Sequence, residues 1–566
     1  MSMRPRALPE VPAQTVAVAR AAFPRGALAM RVRDELGEVF CDGAFVDAFA
    51  TRGRPGISPG QLAMVTVLQF AENLTDGQAA DAVRGRIDWK YSLGLELTDA
   101  GFDFTVLSQF RTRLVDHRLQ GMAFEMLLDR LVELGLFKAR GKQRTDATHV
   151  IAAIRDLNRL EMVAETLRAA LEALAAAAPQ WLASHIDAEL IKRYAVRIDE
   201  WRLPNEQSKR QRLGVQTGTD GVRILNAVAD RRAPSWLREI PAVEVLRRVW
   251  IQQYTISTSG RGVIWRDADV HGLPPGKTRI ISPYDIDARH SEKRGRRWAG
   301  YKVHVSETCD NVADPDAETA DTTQPPNLIT NVVTTHAAVA DIAMTMPIHG
   351  MLADRDLLPA EHLMDAGYPS TAHLIDCRDE YRVRLVAPMR TDSSHHARTN
   401  SPYARSAFTI DFAQQKATCP HGHHSATCNP SRQDGQDVIV VSFALGDCIV
   451  CPGRMQCTRS AQRRRQLTLR PQHLHEALRD ARAEQTTDNW KQTYPTRAGV
   501  EGTIHQTVAV TGIRQARYTG LGKVDLEHAF AATAVNLIRL NAWWTDTPLQ
   551  RTRTTHLSRL NLALAA

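Results

Sequence analysis

The stretch from Tyr494 to Asn541, YPTRAGVEGTIHQTVAVTGIRQARYTGLGKVDLEHAFAATAVNLIRLN, constrains this chain more than any other segment. It sets Glu501 inside a helix-like run otherwise armed with arginine, histidine and lysine. Tyr494 and Pro495 form a helix entrance, because proline is pre-organised for the first helical position. Arg497, Glu501 and His505 then recur every four residues and share one face. A carboxylate surrounded by cations calls for a metal or a phosphate beside it.

Two aspartates stand at strand positions earlier in the chain. Asp146 lies in GKQRTDATHVIAAI, an extended run with Val150 and Ile151, followed by a helix whose apolar side carries Leu160, Val163, Leu167, Leu171 and Leu174. Asp365 ends a short apolar run in AEHLMDAGYPS, just before a glycine turn. Between them Gly300 to Val305 and Leu328 to Thr335 alternate or run apolar as strands should.

The order Tyr, two residues, Arg, three residues, Glu resembles the signature of bacterial insertion-sequence transposases of the DDE group, in the insertion-sequence 1182-like arrangement. The resemblance implies an α/β protein with a ribonuclease H-like catalytic core, in which Asp146, Asp365 and Glu501 are the catalytic and metal-holding carboxylates. Tyr494 and Arg497 then lie near the DNA backbone. The family's lysine, which follows the glutamate after a gap of six residues, is replaced by Val508, leaving Lys523 or Arg514 as candidates for that phosphate contact. The resemblance also implies Mg2+ or Mn2+, hard cations that relieve the repulsion of clustered carboxylates. Two such ions would serve an in-line displacement, first by water and then by a freed 3′-hydroxyl. Terminal inverted repeats and target DNA are the implied partners, with the protein a homodimer on DNA, cytoplasmic and nucleoid-associated.

Each of these residues has a plainer reading beside the catalytic one. Asp365 before Ala366 and Gly367 is also a turn initiator. Asp146 also serves to cap a strand end, and Glu501 to pair with Arg497 one turn earlier. His149 and His505 read equally as ordinary hydrogen-bond partners of carboxylates. Joint occurrence, in order and inside longer resembling segments, favours the catalytic set.

Lysine and arginine total 71 against 63 aspartate and glutamate, a formal charge of +8, which suits a polyanionic partner. The basic residues cluster in EKRGRRW, around Arg294 to Trp298, and in the run from Arg459 to Arg470. At 566 residues the chain exceeds one compact core. The expected division is a helical N-terminal domain over 1–136, a first part of the ribonuclease H-like core over 137–395, an insertion over 396–480 and the remaining core helices over 481–566. The most linker-like stretch is the acidic, Pro- and Thr-rich segment from Asp310 to Pro326. The N-terminus lacks the apolar core of a secretory signal, and the alanine-rich run near Leu171 to Ala178 is too short for a membrane span.

Ser58, Thr75 and Thr105 are expected to begin helices of the N-terminal domain. The last helix, TVLSQFRTRL, would expose Gln109, Arg111 and Arg113 between the anchors Val106, Phe110 and Leu114. It reads either as a recognition helix, with Arg111 and Arg113 on DNA, or as a plain amphipathic one. With DWKYSLGL from Asp88 to Leu95, the segment resembles the domain that precedes this transposase core.

Five of 8 cysteines fall between Cys419 and Cys457. Cys448 and Cys451 have the two-residue gap that lets two thiolates grip one ion, and Cys457 with Cys419 completes a structural zinc tetrahedron. His421, His423 and Cys428 are rival fourth ligands, and reduced free thiols are the alternative. The expected function is metal-dependent cleavage and strand transfer of an insertion sequence. The alternatives are an inactive, domesticated DNA-binding relative and a hydrolytic nuclease of the same fold.

Overall fold

The computed structural model describes residues 2–199, 201, 203–257, 262–293, 295–310 and 324–547. Most of the expected linker (311–323) and Arg294 of the first basic cluster lie outside the described residues. A six-stranded sheet organises the fold. Its central strand β1 (Lys142–Ile151) is rich in β-branched residues and is hydrogen-bonded on both sides. On one side β1 pairs antiparallel with β3 (Arg296–Thr308). Both β2 (Arg289–Lys293) and β4 (Ile329–His336) pair antiparallel with β3, each along a different half of that long strand. On the other side β5 (Glu361–Met364) runs parallel to β1, and β6 (Arg384–Val386) parallel to β5. The strands expected around 300–305, 328–335 and the run into Asp365 are β3, β4 and β5.

Strand alternation decides which side chains of β1 meet which layer. Arg144, Asp146 and Thr148 point to one face, where they contact Thr496, Arg497 and Arg514 respectively. Gln143 and Thr145 point to the other face and bond Leu357 and His362. The helix Gly499–Thr511 packs on the first face. The last helix, Leu521–Trp544, lies along β4 and closes that edge of the sheet with polar side chains. Asn536 accepts from the Ile329 N–H and donates to the Ile329 carbonyl, at 2.8 and 2.9 Å. Asp525 accepts the Thr334 N–H at 3.0 Å.

Between β1 and β2 the chain builds a helical layer with its own core. Asn158 and Glu161 form a capping box that starts the helix Arg159–Ala177. Its Leu160, Val163, Leu167 and Leu174 bury against Ile224, Leu246, Val249 and Trp250 from the helices Gln207–Ala229 and Pro241–Gln253. Gly214, Gly218 and Gly221 let aromatic rings lie directly on the Gln207–Ala229 backbone. An added Cβ would stand 2.3, 2.4 and 2.1 Å from Trp265, Tyr254 and Trp250.

The N-terminal helices begin where expected: Ser58 caps Pro59–Ala71, and Thr75 with Gln78 forms a capping box on Asp76–Gly85. They do not, however, form a separate core up to Leu136. Val67, Leu68, Phe70 and Leu127 belong to one continuous buried cluster with Val303, Val305, Phe530 and Leu537 of the sheet and last helix. Phe70 stacks on Phe530 with ring centroids 6.2 Å apart.

The exposure expected for Arg111 is corrected for the same reason. The helix Thr105–Asp116 is wedged against the end of the chain, so Arg111 is only 4% exposed, ion-paired to Asp76 and lying over the Tyr518 ring at 4.8 Å. Arg113 is half-buried, over the Phe49 ring at 5.3 Å. Arg111 is thus committed to contacts within the protein. Arg111→Ala, which strands the partly buried Asp76 carboxylate, is therefore expected to cost about 3 kcal/mol of stability in chemical denaturation. A variant as stable as wild type but weakened on DNA would restore the recognition-helix reading.

Candidate active site

Parallel pairing brings the two aspartates together. Thr145 of β1 is in register with Met364 of β5, so the next residues, Asp146 and Asp365, emerge side by side on the face covered by the Gly499–Thr511 helix. Each carboxylate is first held by its own chain: the Ala147 N–H donates to Asp146 Oδ1 at 2.7 Å, and the Ala366 N–H to Asp365 Oδ1 at 2.6 Å. Burial holds the Asp146 carboxyl above its usual range, with neighbouring Asp365 adding to the effect, although the Ala147 N–H and Arg497 oppose it.

Glu501 reaches the same place through Arg497. The chain enters the helix through a 3-10 turn, Tyr494–Ala498, with Pro495 in its first positions. Arg497 in that turn donates to Asp146 Oδ2 at 3.1 Å and to Glu501 Oε1 at 2.7 Å. One guanidinium thus spans the first strand and the helix. Burial works against its charge, but Glu501 and Asp146 outweigh that and raise its pKa. Glu501 keeps 61% of its side chain exposed, whereas Arg497 keeps 13%. The ion pair weighed as the plain reading of Glu501 therefore exists, and it is also what joins Glu501 to Asp146. Tyr494 stacks on Trp490 at 4.6 Å, its hydroxyl pKa raised by burial against the pull of Arg497.

The two candidate replacements for the missing lysine differ in position. Val508 packs against the core, and Lys523 is half-buried in the first turn of the last helix. Arg514 is exposed and donates to Thr148 Oγ1 at 3.2 Å on the face that carries Asp146.

A second set of charges lies beside the carboxylates on the same face of the sheet, and sequence reasoning passed over it. Glu307 of β3 is fully buried, its side chain 0% exposed. Arg144 Nε donates to Glu307 Oε1 at 2.7 Å, and Arg539 Nη1, from the last helix, donates to Oε2 at 2.8 Å. Thr503 of the Glu501 helix donates its hydroxyl to the same Oε2. Arg144 also donates to the Thr496 carbonyl at 2.7 Å, which fixes the turn that carries Arg497. The guanidinium needs open backbone to pass: a Cβ on Gly499 would stand 1.9 Å from Arg144 Nη1. The only signals in the sequence are the glycine at the helix start and an arginine two residues before Asp146.

The cysteine segment forms its own small β layer, with strands Ser425–Gln433, Gln436–Phe443 and Gln466–Leu469 around buried Phe408, Val441 and Phe443. Cys419, Cys448, Cys451 and Cys457 line one cavity of about 30 Å³, together with His421 and His423. Burial raises the Cys457 thiol pKa, Arg465 opposes, and the three other thiols reinforce the rise. Cys428 does not line that cavity. Among the described residues no group of three or more His, Cys, Asp or Glu side chains stands close enough to hold a metal ion as it is. No helix among them is long and apolar enough to cross a membrane.

Residues 418–541 match the family model described as Transposase DDE domain, and residues 18–113 match that described as Transposase domain (DUF772). These matches indicate a transposase of the DDE type. The first match runs from the cysteine segment through the Glu501 helix to the last helix, and implies a ribonuclease H-like core. The sheet is mixed, antiparallel on one side of β1 and parallel on the other. No curated protein and no solved structure is significantly similar to the chain.

The buried network yields a direct expectation. Glu307→Gln keeps the shape but leaves two guanidinium groups facing each other, and should cost about 3–5 kcal/mol in chemical denaturation. Gly499→Ala should also destabilise, by displacing Arg144. An unchanged denaturation midpoint in both variants would mean that the network does not hold the helix.

Proposed function

We propose that this chain is a DNA transposase, of the insertion-sequence 1182-like arrangement, that uses Asp146, Asp365 and Glu501 for strand cleavage and strand transfer. The observation behind this reading is the convergence of β1, β5 and the Glu501 helix. Register puts Asp146 beside Asp365, and Arg497 ties Asp146 to Glu501. DDE transposases generally use Mg2+ or Mn2+. The donor set fits such a cation: carboxylate oxygens, which divalent hard ions prefer, gathered where burial and Asp365 already penalise an uncompensated charge on Asp146. Bound there, a divalent ion would supply Lewis-acid activation of the attacking oxygen and stabilisation of the leaving one.

The chain's own residues do the rest in this proposal. The N–H groups of Ala147 and Ala366 orient the two aspartates from behind. Arg497 balances carboxylate charge in the free protein, and would turn toward a backbone phosphate when DNA and metal arrive. Tyr494, braced by Trp490, and Lys523 are proposed to face the DNA backbone, whereas Arg111 and Arg113 are left out of that set. The partners are terminal repeats and target DNA, engaged by a homodimer. Cys419, Cys448, Cys451 and Cys457 are proposed as a structural zinc set, since soft thiol donors sharing one small cavity match that ion.

Asp146→Asn, Asp365→Asn and Glu501→Gln are each expected to abolish Mg2+-dependent cleavage of terminal-repeat DNA while leaving DNA binding largely intact. A variant that cuts at near wild-type rate would remove its residue from the set, and a joining assay separates a transposase from a nuclease. Purified protein is expected to carry about one zinc per chain. The Cys448→Ser, Cys451→Ser double variant should lose it and become protease-sensitive between Arg398 and Arg479. Elemental analysis finding no zinc in the wild type would remove the zinc assignment and leave reduced thiols.

A further inference from the structure

Beyond Asp146, β1 continues through Ala147 to Ile151, roughly 17 Å of strand at the usual rise per residue. β3 pairs with it as far as the Gly300 and Ile151 positions, then runs past the end of β1 to form a hairpin with β2. At the outer end of that hairpin Lys293 and Arg296 are directly opposite each other. Two like charges in register destabilise an antiparallel pair. Arg297 has Glu292 at 2.8 Å, but no carboxylate pairs with Lys293, Arg296 or Arg514 among the described residues. All three side chains are exposed.

The loop carrying Arg514 is docked on the end of β1: the Ile151 N–H donates to the Arg514 carbonyl at 2.9 Å, and the Ala516 N–H to the Ile151 carbonyl at 2.8 Å. The hairpin is anchored to the same place by Trp298, whose ring lies 5.5 Å from that of His149. His149 itself registers the convergence. Burial lowers its pKa, and the charges of Arg514, Lys293 and Arg296 lower it further, so the three cations share one patch.

We infer that this patch is a phosphate-binding ridge on which duplex DNA lies as it runs from the carboxylates along β1 to the tip of the hairpin. The inference rests on the transposase reading of the chain. A single small anion would not need cations strung out from Arg497 through Arg514 to Lys293 and Arg296. A polyanion with a phosphate about every 3.4 Å per strand would meet each of them in turn. The hairpin starts at Ile151, about five base pairs' length from Asp146, and its tip at Arg296 lies four residues beyond Gly300, so it should touch the backbone about five to nine base pairs from the bond that is cut.

The test measures binding of the full-length protein to a short duplex of arbitrary sequence over a range of salt concentrations. The variants are Lys293→Ala with Arg296→Ala, and Arg514→Ala. The double variant is expected to bind at least about tenfold more weakly, with the slope of log affinity against log salt reduced by about 1.8, or 0.9 for each phosphate no longer neutralised. Thermal unfolding should match wild type, because relieving the like-charge pair does not weaken the fold. On terminal-repeat DNA, where the cut bond fixes the register, ethylation of single phosphates should interfere with wild-type binding at the predicted distance and not with the double variant. Unchanged affinity and slope in both variants, on DNA that wild type binds, would overturn the ridge and leave the transposase reading standing. Failure of the wild type to bind any duplex would overturn both.

Discussion

The fully buried Glu307 between Arg144 and Arg539 is the interaction on which the geometry of this protein depends. Three elements distant in sequence meet at its two oxygens: the central strand, the Glu501 helix through Thr503, and the last helix. A buried charge set of this kind adds little net stability, because desolvation offsets most of the attraction. What it provides is position, since each charged group has only one arrangement in which it is satisfied. Arg144 carries that order to the Thr496 carbonyl, and so to the turn where Arg497 reaches both Asp146 and Glu501.

Around that centre the polar contacts of the last helix do what another strand would otherwise do. Asn536 and Asp525 satisfy backbone groups of β4, so the sheet ends against protein. The opposite face of the same helix packs on the N-terminal helices, where Arg517 lies over Phe70 and donates to the Leu74 carbonyl. The two family matches, near the start and the end of the chain, therefore fall on segments that share one hydrophobic core.

Local signals were legible wherever the residue itself sets the local structure. Ser58, Thr75 and Pro495 mark helix entrances because caps and fixed φ act within a turn. The alternating runs over β3 and β4 are strands because side chains on a pleat alternate between faces. The four cysteines line one cavity. By contrast, amphipathic periodicity misplaced Arg111. It marks one buried stripe, and it carries no information about a second element packed on the other side. Of the helical layer after β1 only the first helix was legible, because the clearest mark of the rest, three glycines under aromatic rings, has meaning only once Trp250, Tyr254 and Trp265 are known to lie on them.

Residue chemistry along the chain was enough to set the kinds of element and the order of the acidic residues, with Asp146 and Asp365 at strand positions and Glu501 one turn after Arg497. It was also enough to set the excess of positive charge and its clustering near the β2–β3 hairpin. Packing of the whole chain was needed to stand Asp146 beside Asp365, to join Asp146 to Glu501 through Arg497, and to bury Glu307 next to them. It also made the N-terminal helices part of the central core. The physical reason is distance along the chain: caps, turns and alternation act between neighbours. Strand register and shared burial act between segments hundreds of residues apart, and exist only when the whole chain has packed.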